Sequence, residues 1–273
     1  MADSTHHIQS LFTTFRIVDT LRGGGGMRVV QIAQETGIRK SSVFKHLDTL
    51  RQLGYVTKNG SEYSLSLQWF QIGQRVQRHH GIVSIVNSEL DQFARQIGET
   101  LSLVVEEDGD AVYLYQTSDR TERASPVPEG GHIPCHLSVG GKAILAYRPE
   151  TEVERLLDES DVEQDDQLRN ELVGLRDQRL AIEVNSPRIE NINAGDVAGH
   201  RHILGDDERY RDINSVAVPV RNDDGYAVAA VEVSGEESSL TGNRLEEEIA
   251  SRLIEVAESL EVKLLRATEP QAG

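Results

Sequence analysis

The sequence predicts an α+β chain in two parts: a winged helix-turn-helix at the amino end, then a connecting helix and an α/β sheet domain. Three observations carry this. Two compact amphipathic segments precede strand-like runs at 55–58 and 62–65, which flank Asn59-Gly60, a pair that accepts positive φ and favours a two-residue hairpin. Residues 1–80 hold ten Lys plus Arg against five Asp plus Glu, or +5, while the 273-residue chain is −17, so the remainder carries −22. Farther along, 101–106 and 111–116 alternate about Asp108-Gly109-Asp110, and 215–220 and 227–233 flank Asn222-Asp223-Asp224-Gly225, the pattern of antiparallel hairpins.

Taken in order, Ile8, Leu11, Phe12, Phe15, Val18 and Leu21 form one apolar stripe and predict a first helix over 8–22. Glycines 23–26 end it. With no Lys-Ser or Lys-Thr pair after them, they make a turn rather than a phosphate loop. Val29, Ile32 and Ala33 predict a short helix over 29–36, closed by Gly37 as a left-handed cap, with Ile38 filling the turn. A third helix runs from about 40 to 53, where Val43, Leu47 and Leu50 fall within roughly 60° of one another on a helical wheel and face the core.

The opposite face of that third helix holds Ser41, Lys45, Thr49 and Gln52, with Arg39, Lys40 and Ser42 at its amino end. Hydroxyl, amide and ammonium groups there suit base edges and phosphates in a major groove, and backbone amides at the helix start also attract phosphate. A solvated face alone would show the same stripe; the turn before it and the wing after it favour duplex DNA. Asp48 on that face opposes phosphate. His46 lies nearer the apolar flank, where packing and contact are both open, and Lys58 stands beside the wing tip. Trp69, Ile72, Gly73 and Val76 then predict a helical connector whose stripe is covered by its own chain or by a second copy. Further helices are expected at 86–97, 138–147, 151–158, 166–179 and 242–265, giving a sheet domain with intervening helices.

Composition bounds the class. A 38% hydrophobic share supports packed cores. No run of eighteen apolar residues and no charged-then-apolar leader occurs, so neither a membrane span nor export is expected, and a cytoplasmic location is. The single Cys135 cannot form an internal disulfide, in keeping with a reducing compartment. Arg (23) in excess of Lys (5), an isoelectric point near 4.9 and few aromatics fit a salt-adapted protein, in which contacts other than phosphate pairing carry more of the binding.

The run Gln31-Ile32-Ala33-Gln34-Glu35-Thr36-Gly37-Ile38-Arg39-Lys40-Ser41-Ser42-Val43-Phe44-Lys45-His46-Leu47, followed by Leu53-Gly54-Tyr55-Val56, resembles the IclR family of transcriptional regulators. The stretch from His136-Leu137-Ser138-Val139-Gly140-Gly141 to Ala146 is similar to that family's helix-opening segment. Val216-Ala217-Val218-Pro219-Val220 and Val231-Glu232-Val233-Ser234-Gly235 are similar to its paired pocket strands. The resemblance covers nearly the whole chain. It implies a winged helix-turn-helix over 8–67, a linker helix over 68–80, a GAF-like effector-binding domain over 81–268 and a disordered tail over 269–273. It further implies a homodimer or homotetramer that binds double-stranded operator DNA, represses or activates, and responds to a small-molecule metabolite.

Motif matching sets Val139, Gly140, Ser215, Glu232 and Ser234 around the effector pocket, with Cys135, His136 and Ser138 close by. Hydroxyls and backbone amides in an apolar hollow suit a small oxygen-rich metabolite. Glu232 stands where many relatives carry a small polar residue, and its carboxylate disfavours a carboxylate ligand unless protonated or paired. The stretch 184–210 reads Asn185-Ser186-Pro187-Arg188-Ile189-Glu190-Asn191 in place of the family's acidic run before an Arg-containing strand. His132, Cys135 and His136, with His200 and His202, could supply metal ligands, but their spacing matches no recognised site, so neither metal nor other cofactor is expected. There is no Gly-x-Ser-x-Gly elbow and no second Cys, and Cys135 and His136 would point apart on a strand, so an enzyme is not expected. The other reading is an effector-sensing protein that works through protein contacts, its helix-turn-helix degenerate.

Overall fold

The computed structural model describes residues 8–23, 25–118, 125, 127–159, 165–184 and 213–268. It divides between His79 and His80 into two compact units.

In the first unit, α1 (Gln9–Arg22), α2 (Val29–Thr36) and α3 (Lys40–Gln52) enclose a core of Ile17, Val18, Leu21, Ile32, Val43, Leu47, Leu50, Val56 and Tyr63. The stripe read at 43, 47 and 50 is fully inward. Gly37 takes φ 69, the left-handed cap that lets α2 end and the chain turn into α3. Arg16 on α1 donates to the Thr36 carbonyl at 2.6 Å, which ties the end of α2 down.

The wing is β2 (Val56–Asn59) and β3 (Glu62–Leu65), with the short β1 (Met27–Arg28) on the far side of β3. The hairpin differs from the expected one by a residue. Asn59 pairs with Glu62, so the two loop residues are Gly60 and Ser61, and only Gly60 is left-handed, at φ 60. Gly at the first central position makes a II′-type loop, in which asparagine's tolerance of positive φ is not used. After it comes α4 (Gln68–His79), in whose first turn Trp69 Nε1 donates to the Tyr55 carbonyl at 2.9 Å, the two ring centroids 5.0 Å apart.

The second unit is built on a six-stranded antiparallel sheet. Its strands are β4 (Thr100–Glu107), β5 (Asp110–Thr117), β6 (His132–Pro134), β7 (Ala181–Glu183), β8 (Ile213–Arg221) and β9 (Ala227–Glu236), in the order β6-β5-β4-β9-β8-β7. The loop between β4 and β5 is Asp108 (φ 51) and Gly109 (φ 89), both left-handed, as a two-residue I′ turn requires. One sheet face packs on α5 (Gly81–Ile97) and the carboxyl-terminal α9 (Ala250–Thr268) through Val86, Leu90, Leu101, Leu103, Val218, Val231, Val233, Leu253 and Leu260. The other face packs on α6 (Val139–Leu145), α7 (Glu150–Glu159) and α8 (Asp165–Gln178) through Val104, Tyr113, Ala217, Ala230, Ile144, Val153 and Leu172.

Strand alternation makes this possible, since neighbours such as Ala230 and Val231 serve opposite cores. Two details depart from expectation. Cys135–Leu137 is a 3₁₀ turn, not strand, and α9 is preceded by a π-wound turn, Arg244–Ile249. The Arg244 guanidinium there reaches the buried Glu99 carboxylate and the Ser239 carbonyl, both at 2.7 Å.

Candidate nucleic-acid interface and effector site

On α3, burying Val43, Leu47 and Leu50 leaves Arg39, Lys40, Ser41, Lys45, Thr49 and Gln52 exposed, with Ser42 half-buried. Thr49 Oγ1 donates to the Lys45 carbonyl at 3.0 Å, so toward a partner this hydroxyl acts as an acceptor. Asp48 does not stand as a bare charge. Arg51 pairs with it at 3.0 Å and Gln52 Nε2 donates to it at 2.9 Å, so the carboxylate is largely compensated within the helix, and Gln52 is engaged there.

His46 is half-buried, its Nδ1 2.8 Å from Thr14 Oγ1 on α1. Of the two roles left open by sequence, packing is the one this contact serves. Lys58 is exposed at the wing, its ammonium 5.2 Å from the centre of the Tyr63 ring. Phe44, to which no role is assigned from sequence, is half-exposed on α3 beside Lys45. The available signal was an apolar residue standing off the 43/47/50 stripe, and an aromatic edge there suits a thymine methyl.

In the second unit, the face toward α6 carries two adjacent polar rows, set by strand register. Gln116, Ser102 and Glu232 lie side by side across β5, β4 and β9, and Thr100, Ser234 and Ser215 across β4, β9 and β8. All six are buried. Alternation puts such positions inward, and polar residues there were a usable signal for Ser102 and Gln116, which the reading did not assign. Gln116 Nε2 lies within reach of Ser102 Oγ, Ser125 Oγ and the Val127 carbonyl, at 3.0, 2.8 and 2.8 Å.

Above these rows, Ser138 caps α6, its Oγ accepting from the Gly141 amide at 3.1 Å. Gly141 has to be glycine, because a Cβ would collide with the backbone of Cys135. Gly140 lies over Glu232, and its N–H donates to Glu232 Oε2 at 3.0 Å. Tyr113, also unassigned by sequence, donates to the same oxygen at 3.1 Å. Its oxygen in turn accepts from Ser138, also at 3.1 Å.

Burial lifts the Glu232 carboxyl from its ordinary 4.5 to about 7 against these donors, with Glu183 adding repulsion. Ser215 lies close enough to ease its ionisation, yet Glu232 Oε1 and the Ser234 hydroxyl are both buried with no hydrogen-bond partner.

Ser138, Gly140, Ser215, Glu232 and Ser234 are therefore brought together, and Val139 packs in the core beside them. Cys135 is buried under α6, its thiol pushed up by desolvation, and His136 is half-buried in the same turn. His132 pairs with Asp110 at 2.9 Å. Among the described residues no group of three or more His, Cys, Asp or Glu is arranged to hold a metal ion. His200 and His202, the 185–210 stretch and the 269–273 tail lie outside the described residues.

Comparison with known proteins accounts for both units. The IclR helix-turn-helix domain matches residues 10–60, and the bacterial transcriptional regulator IclR C-terminal domain matches 74–185 and 203–262. The chain belongs to the IclR family. It is 25% identical to the probable HTH-type transcriptional regulator ArcR of Halobacterium salinarum, over 94% of each chain. It is 27% identical to the transcriptional repressor IclR of Escherichia coli, over 57% of this chain and 59% of that one.

Crystal structures share the fold. The IclR of Thermotoga maritima superposes at TM-score 0.70 with 24% identity, covering 94% of this chain and 99% of that one. An IclR homolog from Microbacterium hydrocarbonoxydans, complexed with 4-hydroxybenzoate, superposes at 0.64 with 17% identity over 93% and 98%. The protein is thus an IclR-type DNA-binding transcriptional regulator, a winged helix-turn-helix with a carboxyl-terminal α/β domain. No described helix is long and apolar enough to cross a membrane.

Proposed function

We propose that this IclR-type regulator controls a metabolic operon, and that a small metabolite bound at the α6 face of the sheet domain alters its operator affinity or assembly. The observation that carries the reading is the pair of buried, unpartnered polar atoms, Glu232 Oε1 and Ser234 Oγ, amid hydroxyls that are otherwise satisfied. Buried polar groups are nearly always hydrogen-bonded, and a ligand supplies the missing partners. In this reading residues 8–67 hold the operator, 68–80 connect and 81–268 sense. Arg39, Lys40, Ser41, Ser42, Lys45, Thr49, Gln52 and Lys58 face the duplex, and His46 seats α3.

The working form is a homodimer or homotetramer. Support comes from α4, which buries none of its residues and exposes Ile72 and Val76, one turn apart on a single face suited to a second copy. Such pairing would present two recognition helices to major grooves about 34 Å apart.

The test is a titration of operator DNA with and without metabolites of the neighbouring pathway, on the wild type and on Ser234→Ala. The reading expects a metabolite that shifts DNA affinity in the wild type, and a reduced shift in Ser234→Ala with ligand-free DNA affinity intact. Affinity indifferent to every metabolite, in a protein that binds DNA, overturns the effector reading.

A further inference from the structure

A metabolite that completes this site meets an unusual polar set. The only acceptor oxygen of Glu232 still open is Oε1, since Oε2 takes the Tyr113 hydroxyl and the Gly140 amide. Ser234, two residues along the same strand, offers its hydroxyl from the same face.

No described cationic side chain answers the Glu232 carboxylate. The buried Lys142 on α6 is held by Glu171 at 2.7 Å and by Glu183 at 3.5 Å, and Glu183 adds a second negative charge near Glu232. The groups facing Glu232 are thus Tyr113 from β5, Ser138 and Gly140 from the α6 cap, Ser215 from β8 and the Glu183 charge from β7. With Glu232 ionised, a ligand carboxylate here would be repelled by it and would leave Oε1 without a donor. A ligand cation would offset the cost of a buried, incompletely paired charge.

We propose that the effector presents a protonated nitrogen, an ammonium or guanidinium group, to Glu232 Oε1, and a second polar atom to the Ser234 hydroxyl. The inference rests on the effector-site reading above and assigns the chemical class of its ligand. Guanidinium matches the geometry best, because its planar fork can serve one carboxylate oxygen and a neighbouring hydroxyl together.

The test uses the full chain at high ionic strength, so that its overall negative charge does not collect cations unspecifically. Methylguanidine and ethylamine serve as cationic probes, and pyruvate and 4-hydroxybenzoate as carboxylate probes, with binding read by ligand-observed NMR. The cations should bind and the carboxylates should not. With a carboxyl that titrates near 7, cation binding should weaken about tenfold from about pH 8 to about pH 6. Glu232→Gln, a change of similar shape, should weaken methylguanidine binding at least tenfold and remove its pH dependence, while Ser234→Ala should weaken it severalfold. Circular dichroism and thermal melting confirm that both variants fold.

Preferential binding of a carboxylate that depends on Ser234 overturns the cation assignment and leaves the effector site standing. Cation binding indifferent to pH and to Glu232→Gln also overturns the assignment. Silence from every probe, together with DNA affinity that no metabolite shifts, overturns both.

Discussion

Tyr113 donates its hydroxyl to Glu232 across 119 residues of sequence, at 3.1 Å and fully buried, with β4 lying between their two strands. The contact joins Tyr113 to the Glu232 end of the row of Gln116, Ser102 and Glu232, and its worth depends on the charge of the acceptor. Tyr113→Phe should therefore destabilise the fold by about 1–3 kcal/mol at alkaline pH, where Glu232 is ionised, and by less under acid conditions. Urea unfolding at the two pH values measures this. Equal losses at both would show that the hydroxyl serves only as packing.

Glu232 itself should make stability fall with rising pH. Its folded pKa, about 7, exceeds the ordinary 4.5, so the folded chain holds the proton more tightly than the unfolded one. Its contribution is fully present below about 4.5, declines through the window up to about 7 and is level above, a difference on the order of 3 kcal/mol. Glu232→Gln removes this titration. The variant should match the wild type near pH 4.5 and be more stable at pH 8 by about 1–3 kcal/mol. A wild-type melting profile with the same slope as the variant's across that window would contradict the burial cause.

The fold was legible where the signal is local. Glycine at left-handed positions gave Gly37 its cap and Gly109 its turn, and the 43/47/50 stripe placed the core side of α3. What local signals could not set was register. At the wing, Asn59 became a paired strand residue and the loop moved onto Gly60 and Ser61, because strand pairing along 56–59 and 62–65 takes precedence over the turn preference of asparagine. The residues singled out by motif lie together on the α6 face, beside Tyr113, Ser102 and Gln116, which no motif marks. Alternation marks Ser102 and Gln116 as inward polar positions, but their partners, like that of Tyr113, lie on other strands and are set only by register.

Lys45 and His46 are neighbours with different expected phenotypes. Lys45→Ala should weaken DNA binding and reduce the slope of log affinity against log salt by about one unit, the release of about one counterion. His46→Ala loses the bond to Thr14 between α1 and α3, which should cost about 1 kcal/mol of stability and leave the salt slope unchanged. Salt titrations and thermal melts on both variants check the pair; a changed slope for His46→Ala would return it to the phosphate contacts.

Arg244→Ala removes the guanidinium that answers the fully buried Glu99 and also reaches the Ser239 and Ile97 carbonyls. Breaking one side of such a pair should cost about 3 kcal/mol. Denaturant unfolding of the variant would show it as a lower midpoint with unchanged slope, and a loss below about 1 kcal/mol would place Glu99 in solvent after the truncation.

The most direct measurement is a binding titration of the full chain, at fixed high salt, on a duplex from the region upstream of its own gene and on a scrambled duplex of equal length and composition. An operator reader with α3 in the major groove should prefer the upstream duplex by about a thousandfold or more, and Ser41→Ala with Lys45→Ala should erase most of that preference. Equal affinity for the two duplexes, and for every other fragment of the surrounding operon, would contradict the account.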